Sequence, residues 1–224
     1  MGKEEKLGLL HTEKIELDKA IGDAREKSRE FLKLMSYYKC AMMEIETKLN
    51  VLKEEFALSY DRNPINSISS RLKAPQAIFE KLKRYGQPQN LVAAEEYVND
   101  IAGVRVTCLF VEDVYMLAES ILSQDDIILI KKKDYIENPK ENGYRSLHLI
   151  VSVPIFLSNE KRNVKVELQF RTIAMDFWAS VEHQLRYKKD NEFTSQMAEE
   201  LLNCAQISAD LDSRMGKLKK MIEK

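Results

Sequence analysis

Lys165, Glu167, Gln169 and Arg171 alternate along the chain with Val164, Val166, Leu168 and Phe170. Successive side chains of a strand point to opposite faces. The stretch therefore predicts a strand with one apolar face and one row holding two cations, a carboxylate and an amide. An ordinary half-buried strand has no need of that mixture, whereas a site for a metal ion and phosphates would use it. Asp100 offers a second carboxylate, just ahead of a strand that begins near Gly103. Mg²⁺ is usually held by one or two carboxylates plus substrate phosphates. Arg105 lies on that strand, and an arginine on a buried face calls for an anionic partner. Residues 71–84 carry Arg71, Lys73, Lys81, Lys83 and Arg84 against one acid, Glu80. Such cations suit a triphosphate, and arginine planes stack on bases.

The segment from Lys131 to His148 reads KKKDYIENPKENGYRSLH. A loop with Gly143 beside Tyr144 suits a base-stacking platform, worth ~1–3 kcal/mol per stacked base. Lys140 and Arg145 are candidates for phosphates, and His148 falls on the polar side of the following strand with Ser146 and Ser152. On a helix from Ile173 to Tyr187, Asp176, Ser180, His183 and Tyr187 share a stripe. No G-x-x-x-x-G-K-[ST] or G-x-G-x-x-G occurs, which excludes nucleotide binding by those loops. No histidine pair has zinc spacing, and H-E-x-x-H is absent.

These residues need elements to hold them. Up to about Tyr60 the chain has no proline, and Leu32, Met35, Cys40, Met43, Leu49, Leu52 and Phe56 recur at helical spacing. The expectation is two long helices, broken near Ser36 to Lys39, followed by a turn at Asp61–Pro64. Ser69 or Ser70 is expected to cap a helix ending at Arg84. A short helix precedes Asp100, a strand runs from Gly103 to Phe110, a helix from Val114 to Leu122 and a strand from Ile127 to Lys131. A loop from Glu137 to Gly143 leads to a strand over Arg145–Val153 that stops at Pro154. A turn at Asn159–Asn163 opens the alternating strand. The next helix is expected to bury Ala174, Phe177, Trp178, Val181 and Leu185. A final helix covers Thr194–Ile222. Helices interleaved with about four strands give an α/β or α+β class with a mixed sheet.

Composition sets the outer bounds. The chain has 224 residues, with 35 Lys+Arg against 36 Asp+Glu, so net charge supplies no argument for a polyanionic partner. Cys40, Cys108 and Cys204 are far apart and without metal-ligand spacing, and read as free thiols of a reducing cytosol. No apolar run approaches the ~20 residues that span a bilayer, and no signal-peptide core is present. Lys6 stands where a myristoylation motif following Gly2 wants Ser or Thr, so no lipid anchor is expected.

Five segments taken together resemble the (p)ppGpp synthetase domain of the RelA/SpoT family. They are RLKAPQAIFEKL (71–82), DIAGVRV (100–106), NGYRSLH (142–148), VELQFRT (166–172) and MDFWASVEH (175–183), in family order. The histidine–aspartate motif of the family's hydrolase domain is absent, since the histidines are His11, His148 and His183. The chain therefore resembles the small alarmone synthetases, closest to the RelP/RelQ kind. The resemblance implies a mixed sheet of about five strands flanked by helices, related to nucleotidyltransferases. It implies a catalytic core over residues 63–190, with helices at 1–62 and 191–224 that assemble a homotetramer.

The implied activity is a cytoplasmic GTP pyrophosphokinase of the bacterial stringent response, moving the β,γ-pyrophosphate of ATP to the 3′-hydroxyl of GTP or GDP. The implied cofactor is Mg²⁺, held by Asp100 and Glu167, with Glu167 also the base. Arg71 and Arg105 would sandwich adenine, and Lys73, Lys81 and Arg84 would meet the ATP phosphates. Tyr144 would stack on guanine. Lys140, Arg145, His148 and Gln169 would position the acceptor, and Asp176 would read the guanine edge. Ala77 departs from the serine common at that position. Ser67 and Ser69 are small where some relatives form an allosteric alarmone site, so that regulation is not carried over. Rival readings are pyrophosphate transfer to a tRNA end, a nucleotide- or RNA-binding regulatory module without catalysis, and a nucleotidyltransferase that releases pyrophosphate. No membrane partner is implied and no nucleic acid is required.

Overall fold

The computed structural model describes residues 3–59, 62–187 and 193–222. Asp61 of the expected turn and the expected boundary at 190–191 lie outside them, as does Gly2. The chain divides into two compact units, residues 1–37 and 38–224. Helix α1 (Lys3–Ser59) is continuous, without the break expected near Ser36. No proline or glycine occurs between residues 23 and 59, and the Ser36 hydroxyl donates to the Lys33 carbonyl at 2.8 Å, satisfying itself inside the helix. Within the second unit the buried stripe of α1 is Tyr38, Ala41, Ile45, Leu49, Leu52 and Phe56. Met43, expected on the stripe, is 54% exposed.

The second unit is built on five strands: β1 (Ile65–Leu72), β2 (Ala102–Cys108), β3 (Ile128–Asp134), β4 (Leu147–Phe156) and β5 (Lys161–Thr172). Their order is β1-β2-β5-β4-β3, with β2 and β5 parallel and the other pairs antiparallel. Helices α2 (Pro75–Arg84), α3 (Leu91–Tyr97), α4 (Val111–Leu122), α5 (Ile173–Tyr187) and α6 (Ser195–Ile222) complete it. This is the mixed, helix-flanked sheet expected. Val104 and Val106 of β2, Leu168 and Phe170 of β5, and Leu149 and Leu147 of β4 are cross-strand neighbours on one face. All are buried, with Val114, Leu117, Ala118 and Ile121 of α4, which packs on β2 and β5.

Four local expectations fail for identifiable reasons. Residues 65–72 are a strand, where Ser69 or Ser70 was expected to cap a helix. The sequence INSISSRL shows no apolar alternation because β1 is an edge strand with little buried side-chain surface. Helix α2 starts instead with Pro75 in its first turn, where a missing N–H costs nothing. Pro154 lies inside β4, paired with Asn163, beyond Ser152 where β3 ceases to pair. The turn before β5 closes earlier than Asn159–Asn163, with Leu157 N donating to Glu160 O at 2.8 Å. Helix α5 buries Met175, Trp178 and Ala179, while Phe177, Val181 and Leu185 are exposed. Periodicity located its apolar residues but could not tell which stripe meets the core.

Helix α6 packs on α5 and α4. The Trp178 indole donates to Leu201 O at 2.8 Å, and Trp178, Ala179 and Ala205 form a small core against which Tyr144 and Leu201 pack. Gly143 has φ +87°, and a Cβ there would stand 2.4 Å from the Ala205 Cβ. Positive φ and close approach both demand glycine. Gly143→Ala is therefore expected to destabilise the second unit by about 1–3 kcal/mol in denaturant unfolding; an unchanged midpoint and slope would contradict this packing.

Candidate active site

The face of the sheet opposite the apolar layer carries the polar row read from the sequence. Register aligns Ser69, Arg105, Gln169 and His148 across β1, β2, β5 and β4. The adjacent row is Arg71, Gly103, Glu167 and Ile150. Asp100 sits in the turn before β2. An open pocket on this face is lined by Ser69, Arg71, Asp100, Arg105, Glu167 and Gln169 among others. Asp100, Glu167, Arg71 and Arg105 thus meet in one cavity, from segments up to 96 positions apart, since the parallel pairing of β2 with β5 sets Glu167 beside Gly103.

Asp100, Glu167 and Arg105 each have an internal partner of opposite charge or a hydrogen-bond donor. Asp100 accepts from the ammonium groups of Lys73 at 2.9 Å and Lys81 at 2.8 Å. Lys73 follows β1 and Lys81 lies on α2, so the β1–α2 connection delivers both cations to one carboxylate. Burial raises the Asp100 pKa, but the two lysines more than offset it and hold the group below 3.8. Glu167 accepts from His148 Nδ1 at 3.1 Å on Oε1 and from Gln169 Nε2 at 2.8 Å on Oε2. Burial raises its pKa too, yet these hydrogen bonds leave it below 4.5. Arg105 has the anionic partner its position required, Asp176 at 3.3 Å. Burial and the neighbouring Arg171 charge lower the Arg105 pKa, against the opposing effect of Asp176.

The remaining candidates separate by location. Arg71 and Arg84 are exposed, Arg84 at the end of α2. Tyr144 is half-buried, with its hydroxyl 2.8 Å from His148 Nε2 and 2.7 Å from an Arg171 nitrogen. The Lys140 ammonium lies 4.6 Å from the Tyr144 ring centroid and 4.8 Å from that of Tyr135. Arg145 lies apart from this group, 3.8 Å from Asp212 of α6. The Asp212 carboxylate also accepts from the Thr172 hydroxyl at 2.8 Å.

Three residues had no role in the sequence reading. Arg171 was visible in the alternation. Tyr135 stands edge-on to Tyr144 and His148 at 5.9 and 5.4 Å. Asp212 comes from a helix with no local sign of chemistry. Oxygen donors alone face the pocket from Asp100 and Glu167, and no cluster of three metal-ligating side chains exists among the described residues. Two carboxylates with no third ligand fit a Mg²⁺ ion completed by phosphates and water, and do not fit a zinc cage.

A family described as a region found in RelA / SpoT proteins matches residues 70–192. The chain belongs to the RelA/SpoT family. It is 42% identical over 186 residues to the GTP pyrophosphokinase YwaC of Bacillus subtilis, covering 83% of this chain and 89% of that one. Small alarmone synthetase 2 from Bacillus subtilis superposes with a TM-score of 0.78 at 40% identity, over 86% of this chain and 99% of the other. Small alarmone synthetase 1 from Bacillus subtilis, crystallised with its product pppGpp, superposes with a TM-score of 0.81 at 31% identity, over 88% and 100%. Within the RelA/SpoT family, this chain shares the small-synthetase architecture nearly end to end.

The depressed pKa of Asp100 has a defined sign. Its pairing stabilises the fold above the ordinary carboxylate pKa, and that contribution is lost as pH falls through the folded value. Asp100→Asn is therefore expected to lower Tm at pH 7 and to converge with the parent below pH 3.8. A difference in Tm independent of pH would contradict the ion-pair assignment.

Proposed function

We propose that this chain is a GTP pyrophosphokinase that transfers the β,γ-pyrophosphate of ATP to the 3′-hydroxyl of GTP or GDP and releases AMP, serving (p)ppGpp synthesis in the stringent response. The observation that carries it is the meeting of Asp100 and Glu167 in one pocket, with Lys73, Lys81, Arg71 and Arg105 on one side and His148 and Tyr144 linked to Glu167. Relatives along nearly the whole chain carry the same activity in their names.

Arg71 and Arg105 hold adenine, and Lys73, Lys81 and Arg84 neutralise the triphosphate. Tyr144 stacks on guanine, with Lys140, Gln169 and Asp176 on the acceptor side, while Arg145, held by Asp212, is left out of this role. Asp100 and Glu167 are the residues that would hold Mg²⁺, which when bound supplies positive charge against the phosphate oxygens. Glu167, ionised at neutral pH, accepts the proton of the 3′-hydroxyl. The 3′-oxygen forms a bond to the β-phosphorus in line. The bond from that phosphorus to the oxygen bridging the α-phosphorus breaks, and its electron pair leaves with AMP. The two cations on Asp100 are poised to follow the phosphates, so catalysis rests on positioning and charge.

Incubation with labelled ATP and GTP tests the reaction: AMP and a 3′-pyrophosphorylated guanosine nucleotide should form in equal amounts. Free pyrophosphate with AMP transferred to an acceptor would overturn it. Glu167→Gln should lower kcat by about 10²–10⁴-fold, with ATP still bound.

The assembly proposed is a homotetramer in the cytoplasm, built through the terminal helices. Exposed Ile207, Leu211, Met215 and Leu218 on α6, with Phe177, Val181 and Leu185 on α5, support it. No helix among the described residues is long and apolar enough to cross a membrane. Light scattering should give four times the 26.0 kDa chain mass. A monomer would remove the interface, and a dimer would remove the tetramer.

A further inference from the structure

Arg171 is buried to 6% side-chain exposure within the site, and the transfer chemistry above does not use it. One of its terminal nitrogens donates to Asp176 at 2.9 Å. The other donates to the Tyr144 hydroxyl at 2.7 Å and, more weakly, to Gln169 Oε1 at 3.4 Å. A guanidinium has donors only, so each contact fixes its partner as an acceptor. The Tyr144 oxygen accepts from Arg171, which leaves its own proton for His148 Nε2 at 2.8 Å. In a neutral imidazole an accepting Nε2 requires the proton on Nδ1, and Nδ1 faces Glu167 Oε1 at 3.1 Å. A carboxylate has acceptors only. The run of bonds therefore has a donor-only group at one end and an acceptor-only group at the other, and one proton arrangement satisfies it.

The second arm repeats the logic. With Gln169 Oε1 turned to Arg171, the amide nitrogen is the atom left for Glu167 Oε2, where it donates at 2.8 Å. A flipped amide would set two oxygens against each other.

We propose that Arg171 is a positioning residue that orients both donors of Glu167, one through Tyr144 and His148 and the other through Gln169. Its role in turnover rests on the reading of Glu167 as the base for the acceptor hydroxyl. The consequence is a mechanical link between the ring assigned to guanine and the carboxylate assigned to the proton. The acceptor platform and the base hold their mutual orientation through one guanidinium.

The direct test is the tautomer of His148 in the free chain. Long-range ¹H–¹⁵N correlation at a pH above the ordinary imidazole range reads it, with His148→Gln assigning the signal among three histidines. The proposal requires the proton on Nδ1, and a proton on Nε2 overturns it. The kinetic test is a cycle. Tyr144→Phe keeps the ring and cuts the first arm, so it should lower kcat about tenfold with KM for ATP unchanged. In an Arg171→Met background the same change should cost less than twofold, because the arm is already undirected. Equal losses in both backgrounds overturn the positioning role. An Nδ1 proton together with a fully active Glu167→Gln would instead leave the hydrogen-bond chain standing and remove the base assignment.

Discussion

Burying charge on a central strand is the constraint on which this structure depends. Strand β5 has neighbours on both sides and an apolar face sealed by α4, so Glu167, Gln169 and Arg171 share the other face with limited access to water. A half-buried carboxylate or guanidinium without partners costs several kcal/mol. Each neighbouring element answers that cost with a particular group. Strand β4 supplies His148 to Glu167, α5 supplies Asp176 to Arg171, and the 137–143 loop ends in the Tyr144 hydroxyl that joins the two. Parallel β2 adds Arg105 to the same aspartate.

The site is thus a set of internal charge pairs, which under the proposed function substrates would exchange for their own. Lys73 and Lys81 are held on Asp100, where they save it from burial alone. In the proposed reaction polyphosphate would offer those lysines a stronger anion, and a divalent ion would offer Asp100 a stronger cation. Neither exchange is favourable without the other, because each alone would strand a partly buried charge. Around Tyr144 the side chains are held by close packing. Gly143 against Ala205, and Tyr144 packed on Trp178, Ala179 and Ala205, fasten the tyrosine loop to α5 and α6. This ties α6 to the position of Tyr144 while Ile207, Leu211 and Met215 of the same helix stay exposed.

Much of this was legible in the sequence where the physics is local. The alternation at 164–171 declared β5 and both its faces, and the need of Arg105 for an anion was met. Asp100 and Glu167, read as a pair, do line one pocket. Edge strand β1 was illegible because solvent-facing serines carry no burial pattern. The exposed Phe177, Val181 and Leu185 of α5 were misread because a helix with two apolar stripes looks the same in sequence whichever one meets the core. Asp212 could not be read at all: its meaning comes from the Thr172 hydroxyl and Arg145, which only the docking of α6 brings near.

The carboxylate proposed to hold the metal is already engaged by the lysines proposed to meet phosphate. Calorimetric titration of Mg²⁺ with and without a non-hydrolysable ATP analogue tests it, after correction for uptake by the analogue itself. The account predicts negligible binding of Mg²⁺ to the free chain and saturable binding once the analogue has drawn Lys73 and Lys81 from Asp100. Equal affinity in the two titrations would contradict it.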